Sequence, residues 1–494
     1  MNKFVSSVKS NASKTLTENG AFALSTTGSD LADLFAIGGS LREHDAQGVA
    51  KMLSLALDED VLLATKLMFH IRNVRGGMGE RKTFRAMLNW MGDNKPAIVV
   101  KNLTNIVKFG RWDDCYSLVG TLVEGEMWSF LYQQLISDIQ NAHKGNPISL
   151  LAKWLKSTNT SSKDSVILGK MTASALGYTE KQYRQVLSYL RSYLKVVEVY
   201  MSSGEWTGIE YSSVPSNAMK NYRKAFGRHD ADGFGEYIES VKKGEKKIKA
   251  ATLFPHDIFL AAGLRGSYGS SNYKLYDWDD VLEEQWKALP NYVAEGSNVL
   301  VVADTSASML NPGGVPMAVA LGLAIYFAER NTGDFKNLFM TFSSNPEFVL
   351  LKGKTLKEKV AGIKAIVSNT NLERTFDLIL STAVNHGLAQ EDMPKAVVII
   401  SDMQFDGAVE GNKLFHRAMA AKFARAGYVI PHVVYWSVRD CSAAFQGSAT
   451  DNGVVFVSGA SPSAFKAVLK TIGGNTYDAI LETLNDEMYD SVVV

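Results

Sequence analysis

The sequence predicts a multidomain protein of α and α/β class, with an α-helical repeat solenoid or ring over residues 1–295 and a Rossmann-like α/β domain over 296–494. Three observations predict it. Apolar residues recur at three- and four-residue spacing up to about residue 295, with no convincing strand series. Beyond Glu295-Gly296, continuous apolar runs of strand length alternate with helical stretches. The chain has 494 residues, too many for one ordinary core, and its 46% hydrophobic and 21% charged residues with only 11 prolines describe packed domains rather than a disordered chain.

In the first part, LADLFAIGGSLRE, AQGVAKMLSLALDED, DVLLATKLMFHIRNV and RKTFRAMLNWMGDN read as amphipathic helices. Lys95-Pro96 and Lys144-Gly145-Asn146-Pro147 punctuate the series. SLLAKWLKST, KDSVILGKMTASAL, EKQYRQVLSYLRSYLKVVEVYMSS, SNAMKNYRKAFGRH, DGFGEYIESVKKGEKK and PHDIFLAAGL continue it. Short helices with short connections suggest a solenoid whose repeat is degenerate, since no exact period is visible. In the second part, SNVLVVADTS, FKNLFMTFSS, KAVVIISDMQF, PHVVYWSV and GVVFVSG read as strands, with PEFVLL as an antiparallel or edge strand. GVPMAVALGLAIYFAERN, TLKEKVAGIKAIVS, RTFDLILSTAVNHGL and NKLFHRAMAAKFARAGY read as the intervening helices, and two more finish the chain. Fully apolar strands imply a parallel sheet covered on both faces, with ligand chemistry at the carboxyl ends of its strands.

Charge is uneven. Lys and Arg number 52 against 51 Asp and Glu, so no global field favours wholesale nucleic-acid wrapping. Residues 144–195 nevertheless hold nine Lys and Arg, among them Lys153, Lys156 and Lys163, against two acids. Such a run is either a solvated helix face or a phosphate-binding surface. Arg72, Arg75 and Arg81 flank the glycine-rich break R-x-x-R-G-G-x-G-E-R. There the glycines either admit a phosphate close to the backbone or end a helix, with Glu80 pairing a neighbouring Arg. In G-R-W-D-D at 110–114, Trp112 is expected in the core or against Arg111, and Asp113 and Asp114 at a helix start.

Two distant cysteines, no apolar N-terminal run and no roughly 20-residue apolar span point to a protein of the cytoplasm with no membrane contact. The eight histidines show no paired metal spacing, no Ser sits in a G-x-S-x-G elbow, and the Gly353-Lys354-Thr355 stretch lacks the earlier glycine of a phosphate-binding loop. The expectation is a protein that is not an enzyme.

At the end of the first apolar strand, Asp304-Thr305-Ser306-Ala307-Ser308 offers one carboxylate and two hydroxyls at alternate positions, a hard-oxygen set suited to Mg²⁺. Asp402 follows another strand, and Thr370 lies in a polar loop between them, with Thr375 nearby. In order and context this resembles the von Willebrand factor A domain and its metal-ion-dependent adhesion site. The resemblance implies metal contacts from Asp304, Ser306, Ser308, Thr370 and Asp402, and an open position for an acidic group of a protein partner. The helical series with R-x-x-R-G-G-x-G-E-R and G-R-W-D-D resembles the TROVE domain of Ro-type proteins, in which a ring of HEAT-like helices precedes a von Willebrand A domain; the same order stands here. That resemblance implies RNA, small non-coding species or single-stranded ends, as partner. Arg72, Arg75, Arg81, Lys153, Lys156 and Lys163 are the candidate RNA contacts. The alternative is a protein–protein scaffold, part of a larger assembly, using the metal site.

Overall fold

A computed structural model describes residues 13–266, 272–342, 345–364, 371–406, 414–439 and 444–494. The helices begin where the sequence supplies caps. Asp45 accepts the Gly48 N–H and Asp60 the Leu63 N–H, opening Ala46–Glu59 and Val61–Arg72. Thr179 and Gln182 form a reciprocal capping box ahead of Glu180–Tyr193. Arg81–Asn94 and Ser216–His229 match the stretches read from periodicity. Several expected helices are shorter: LADLFAIGGSLRE ends at Ile37, and of TLKEKVAGIKAIVS only Leu356–Ala361 is helical among the described residues. SLLAKWLKST keeps only Leu151–Trp154, and the long run from Glu180 breaks after Tyr193, with Lys195 at φ 49° before Val197–Ser203 begins. Two small antiparallel hairpins also lie in this part: β1 (Lys14–Leu16) with β2 (Phe22–Leu24), and β3 (Leu264–Arg265) with β4 (Lys274–Leu275).

The second part forms a six-stranded mixed sheet of β5 (Val299–Asp304), β6 (Leu338–Phe342), β7 (Glu347–Leu350), β8 (Ala396–Ser401), β9 (His432–Ser437) and β10 (Val454–Ser458). The order is β10-β9-β8-β5-β6-β7. All neighbours are parallel except β7, which closes one edge antiparallel to β6. Every residue of β5, β8, β9 and β10 is buried, as unbroken apolar strands require. Strand order reverses between β5 and β8, so their carboxyl ends open a crevice, and Asp304 and Asp402 stand there. The helix Val315–Arg330 is buried from Pro316 to Ala328, because it lies between this sheet and Pro255–Ala261 of the helical part. Its Gly322 permits the approach: a Cβ there would stand 3.2 Å from both the Pro255 Cβ and the His256 nitrogen.

Helices give way to the sheet between Asp280–Lys287 and β5, but packing does not divide there. One hydrophobic cluster runs from Leu31 through the sheet to Val492. Leu24 and Phe445 exchange backbone hydrogen bonds of 2.8 Å, which ties the first hairpin to the α/β part. Conversely, Asn102 and Asn105 donate to the carbonyls of Val493 and Ser491, and His70 Nδ1 lies 2.9 Å from the Tyr489 hydroxyl, so the last residues are held by the helical part. Among the described residues no helix is long and apolar enough to cross a membrane.

Candidate functional site

The glycine-rich break after Val61–Arg72 is a chain reversal. The Met78 N–H donates to the His70 carbonyl and the Glu80 N–H to that of Ile71. A Cβ on Gly77 would lie 2.1 Å from the His70 carbonyl oxygen, so only glycine fits. The reversal leaves Arg75 and Arg81 exposed on one rim, while Glu80 pairs with Arg42 at 2.7 Å. Of the two readings of these glycines, the geometry favours the one that ends a helix, and the arginines are presented as a consequence.

Arg72 has a different fate. It is 4% exposed, and its Nε donates to Asp114 at 2.8 Å. Asp114, fully buried, also accepts from Arg85 Nε at 2.7 Å and from the Arg111 N–H at 2.8 Å. Asp113 takes Arg85 at 2.8 Å and Arg111 at 2.8 and 2.7 Å. The two aspartates expected at a helix start do stand in the first turn of Trp112–Leu118, and there they anchor a buried arginine network. Trp112 stacks on Phe130, half-buried against the core, and the Arg111 guanidinium packs instead on Trp154, 3.9 Å from its ring centroid.

These elements wall a cleft of about 1650 Å³ within the helical part. Arg72, Arg75, Arg81, Lys82, Arg111, Lys153, Arg184 and Arg191 line it, against two acids, Glu80 and Glu198. The crowding is electrostatic as well as geometric: burial and the neighbouring Arg111 and Arg85 charges hold the Arg81 guanidinium below its ordinary value. Lys153 reaches Glu198 only at 3.9 Å. Four of the six sequence candidates, Arg72, Arg75, Arg81 and Lys153, therefore meet in one cleft. Lys156 and Lys163 do not line it: Lys156 Nζ sits 6.0 Å from the Tyr116 ring centroid, and Lys163 is exposed at the first turn of Lys163–Ala175. Sequence reasoning missed Arg184 and Trp154 as cleft residues, because their convergence with the 72–81 segment depends on tertiary packing.

In the crevice of the sheet, Asp304 is fully buried. Its Oδ1 accepts the Ser306 N–H at 2.8 Å and its Oδ2 the Ser401 hydroxyl at 2.6 Å. The Ser306 and Ser308 hydroxyls lie 3.0 Å apart. Asp402, also fully buried, accepts the Gln404 N–H at 3.3 Å, and Arg439 NH1 stands 3.4 Å from both the Asp402 carboxylate and the Ser308 carbonyl. Burial, then the Asp402 charge, push the Asp304 carboxyl well above the usual carboxylate range. The raised Asp304 carboxyl reports two acids that repel each other out of reach of water, a repulsion that a cation bound between them would relieve. Thr370 lies outside the described residues. Thr375 is buried, with its hydroxyl 3.4 Å from the Asn371 carbonyl. Among the described residues no group of three or more His, Cys, Asp or Glu is arranged to hold a metal, so an ion here would rest on two carboxylates and hydroxyls.

Comparison with known proteins adds relatedness. The model of a domain of unknown function, DUF2828, matches residues 17–147 and 148–298, and that of a second domain of unknown function, DUF7788, matches 298–490. An uncharacterized protein of Acanthamoeba polyphaga mimivirus is 28% identical over 501 residues, covering 93% of this chain and 85% of its own length.

Proposed function

We propose, for a chain that belongs to the DUF2828 family, a non-catalytic RNA-binding role carried by the cleft of the helical part. One observation carries this reading: Arg75, Arg81, Lys82, Lys153, Arg184 and Arg191 line a single 1650 Å³ cleft against Glu80 and Glu198, beyond the Arg72 and Arg111 charges that Asp114 and Asp113 balance, in a protein of net charge +1. Such segregation of charge favours a polyanion. Exposed Arg75 and Arg81 suit phosphate, since a planar guanidinium gives paired hydrogen bonds. In this reading the helices act as a TROVE-like scaffold in the cytoplasm, without membrane contact.

The α/β part is read as a von Willebrand A-like domain. Its support is the strand order, with the antiparallel edge strand β7, and the placement of Asp304, Ser306, Ser308 and Asp402 together at the crevice. Those four would hold Mg²⁺, whose bound charge would supply an attachment point for an acidic group of a partner. The residues themselves prepare that role: Ser401 and the Ser306 N–H orient Asp304, and Arg439 screens Asp402. The scaffold reading rests on this crevice alone and needs no RNA.

The test is RNA binding as a function of salt. Each phosphate contact to a single strand contributes about −0.7 to the slope of log affinity against log salt. An Arg75/Arg81/Lys153 triple Ala variant should lower the steepness by about 2. Absence of salt-sensitive RNA binding by the wild type would remove the RNA reading and leave the scaffold.

A further inference from the structure

The chain has eight tryptophans. Trp286 and Trp436 belong to the main hydrophobic cluster, Trp90, Trp112, Trp128 and Trp278 pack against it, Trp112 also reaching the cleft wall, and Trp206 packs on a satellite cluster around Phe226. Trp154 alone packs in none of the clusters formed among the described residues; it is half-buried on the wall of the basic cleft. An indole kept out of the core leaves a large apolar face near water, so its position calls for another partner.

The surroundings hold this ring still. It ends the four-residue helix Leu151–Trp154, too short to be stable alone. Arg191 ties that turn down with three hydrogen bonds, to the carbonyls of Ala152 and Leu155 and to the Ser157 hydroxyl, at 2.8 to 2.9 Å. Just beyond, the Tyr183 hydroxyl donates to the Lys156 carbonyl and the Lys156 N–H donates to the Tyr116 hydroxyl. The Arg111 guanidinium packed on the ring is fixed in turn by two bonds to Asp113. The result is a rigid cation–aromatic pair, beside Lys153 and Arg184, in a cleft rich in positive charge.

A chain of bare phosphates or acidic side chains would use the cations and leave the ring idle. A nucleotide unit uses both, because every base has a flat π face and every linkage a negative charge. Bases in a duplex are stacked on each other and closed to a side-chain ring, so the strand must be single. We propose that Trp154, backed by Arg111, is a base-stacking platform, so that the cleft takes single-stranded RNA with one base stacked there and little preference for its identity. This rests on the reading of the cleft as the RNA site and adds which part of the RNA is held, and by which residue.

The experiment compares a short labelled single-stranded RNA with inorganic polyphosphate, using the full chain. Trp154→Leu should weaken RNA binding about 5- to 100-fold. It should leave polyphosphate binding and the RNA salt slope unchanged, because no phosphate contact is removed. Trp154→Phe should retain most of the affinity. Tryptophan fluorescence of the wild type should be quenched by RNA, and that quenching should fall in Trp154→Phe to what Trp112, the other cleft tryptophan, contributes, a readout that holds even if the Leu variant folds poorly. Equal RNA affinity for wild type and Leu variant would overturn the platform, as would equal weakening toward RNA and polyphosphate, or quenching undiminished in Trp154→Phe. A wild type that binds polyphosphate but not RNA would instead overturn the RNA reading on which the platform rests.

Discussion

Arg72 and Arg81 sit at the two ends of one motif and line one cleft, yet their substitution should have opposite consequences. Arg72 is 4% exposed and gives its Nε to Asp114, which is fully buried and also holds Arg85 and the Arg111 N–H. Replacement by Met keeps much of the side-chain volume but removes one charged donor from a carboxylate that has no access to water. Breaking a buried ion pair from one side costs about 3–5 kcal/mol. Arg85 remains on Asp114, which places the expected loss toward the lower end, about 3 kcal/mol. Arg81 is exposed and makes no ion pair among the described residues, so Arg81→Ala should change stability by no more than about 0.5 kcal/mol. The assay is urea unfolding of both variants, paired with RNA titration across salt. Arg81→Ala should lower the steepness of the salt dependence by about 0.7. Arg72→Met should instead shift the unfolding midpoint down. An unchanged midpoint together with a lowered salt slope for Arg72→Met would show Arg72 to be a phosphate contact, and would refute its assignment to the buried network.

Two further outcomes are expected. Mg²⁺ should raise the melting temperature of the wild type, since an ion bound to the native state at a hundred times its dissociation constant adds about 2.7 kcal/mol. Asp304→Ala should abolish that increment; equal increments in both proteins would place any ion elsewhere. His70 is buried beside Tyr489, and burial holds its pKa down at about 4. Its native pKa lies below the unfolded value near 6.5, so its neutral form contributes stability above that pH, and the contribution is lost as pH falls toward 4. The full loss is about 3 kcal/mol. Urea midpoints measured between pH 7 and 4.5 should fall less steeply in His70→Asn than in the wild type; parallel curves would contradict this.

Long elements with one dominant period were legible in the chain. Ser216–His229 and Arg81–Asn94 carry both a clear apolar face and defined ends, and the runs at β5, β8, β9 and β10 admit only a buried strand. The helix expected over 149–158 shrank to one turn because its hydrogen bonding passes to the Arg191 guanidinium, a tertiary effect with no local trace. The crevice residues were legible for a reason of topology: Asp304 ends one apolar strand and Asp402 follows another, and such strands end at one edge of a parallel sheet. The basic cleft was only half legible. The run over 144–195 does hold Lys153, Arg184 and Arg191, but Lys156 lies past the end of Leu151–Trp154 and Lys163 opens a separate helix away from the cleft, and net charge along a sequence does not record direction. Arg72 illustrates the same limit, since its motif gives no sign that Asp114, far along the chain, would claim it.

The joining of the two parts bears on how the two sites relate. The Tyr292 hydroxyl donates to the carbonyl of Arg75 at the rim of the cleft, and its N–H donates to the Tyr326 hydroxyl at 3.0 Å. Tyr326 lies on the buried helix Val315–Arg330, which follows the loop carrying Ser306 and Ser308. Cleft and crevice are thus mounted on opposite ends of a short run of packed groups. Contact of this kind transmits position, whereas coupling of affinities needs an element with two arrangements that both ligands bias. Val315–Arg330 offers little room for a second arrangement, because it is covered by the sheet on one side and by Pro255–Ala261 at the Gly322 approach on the other. The physical consequence is a rigid presentation: a partner held at the crevice would stand at a fixed distance and angle from RNA held in the cleft, with each ligand binding at its own intrinsic strength.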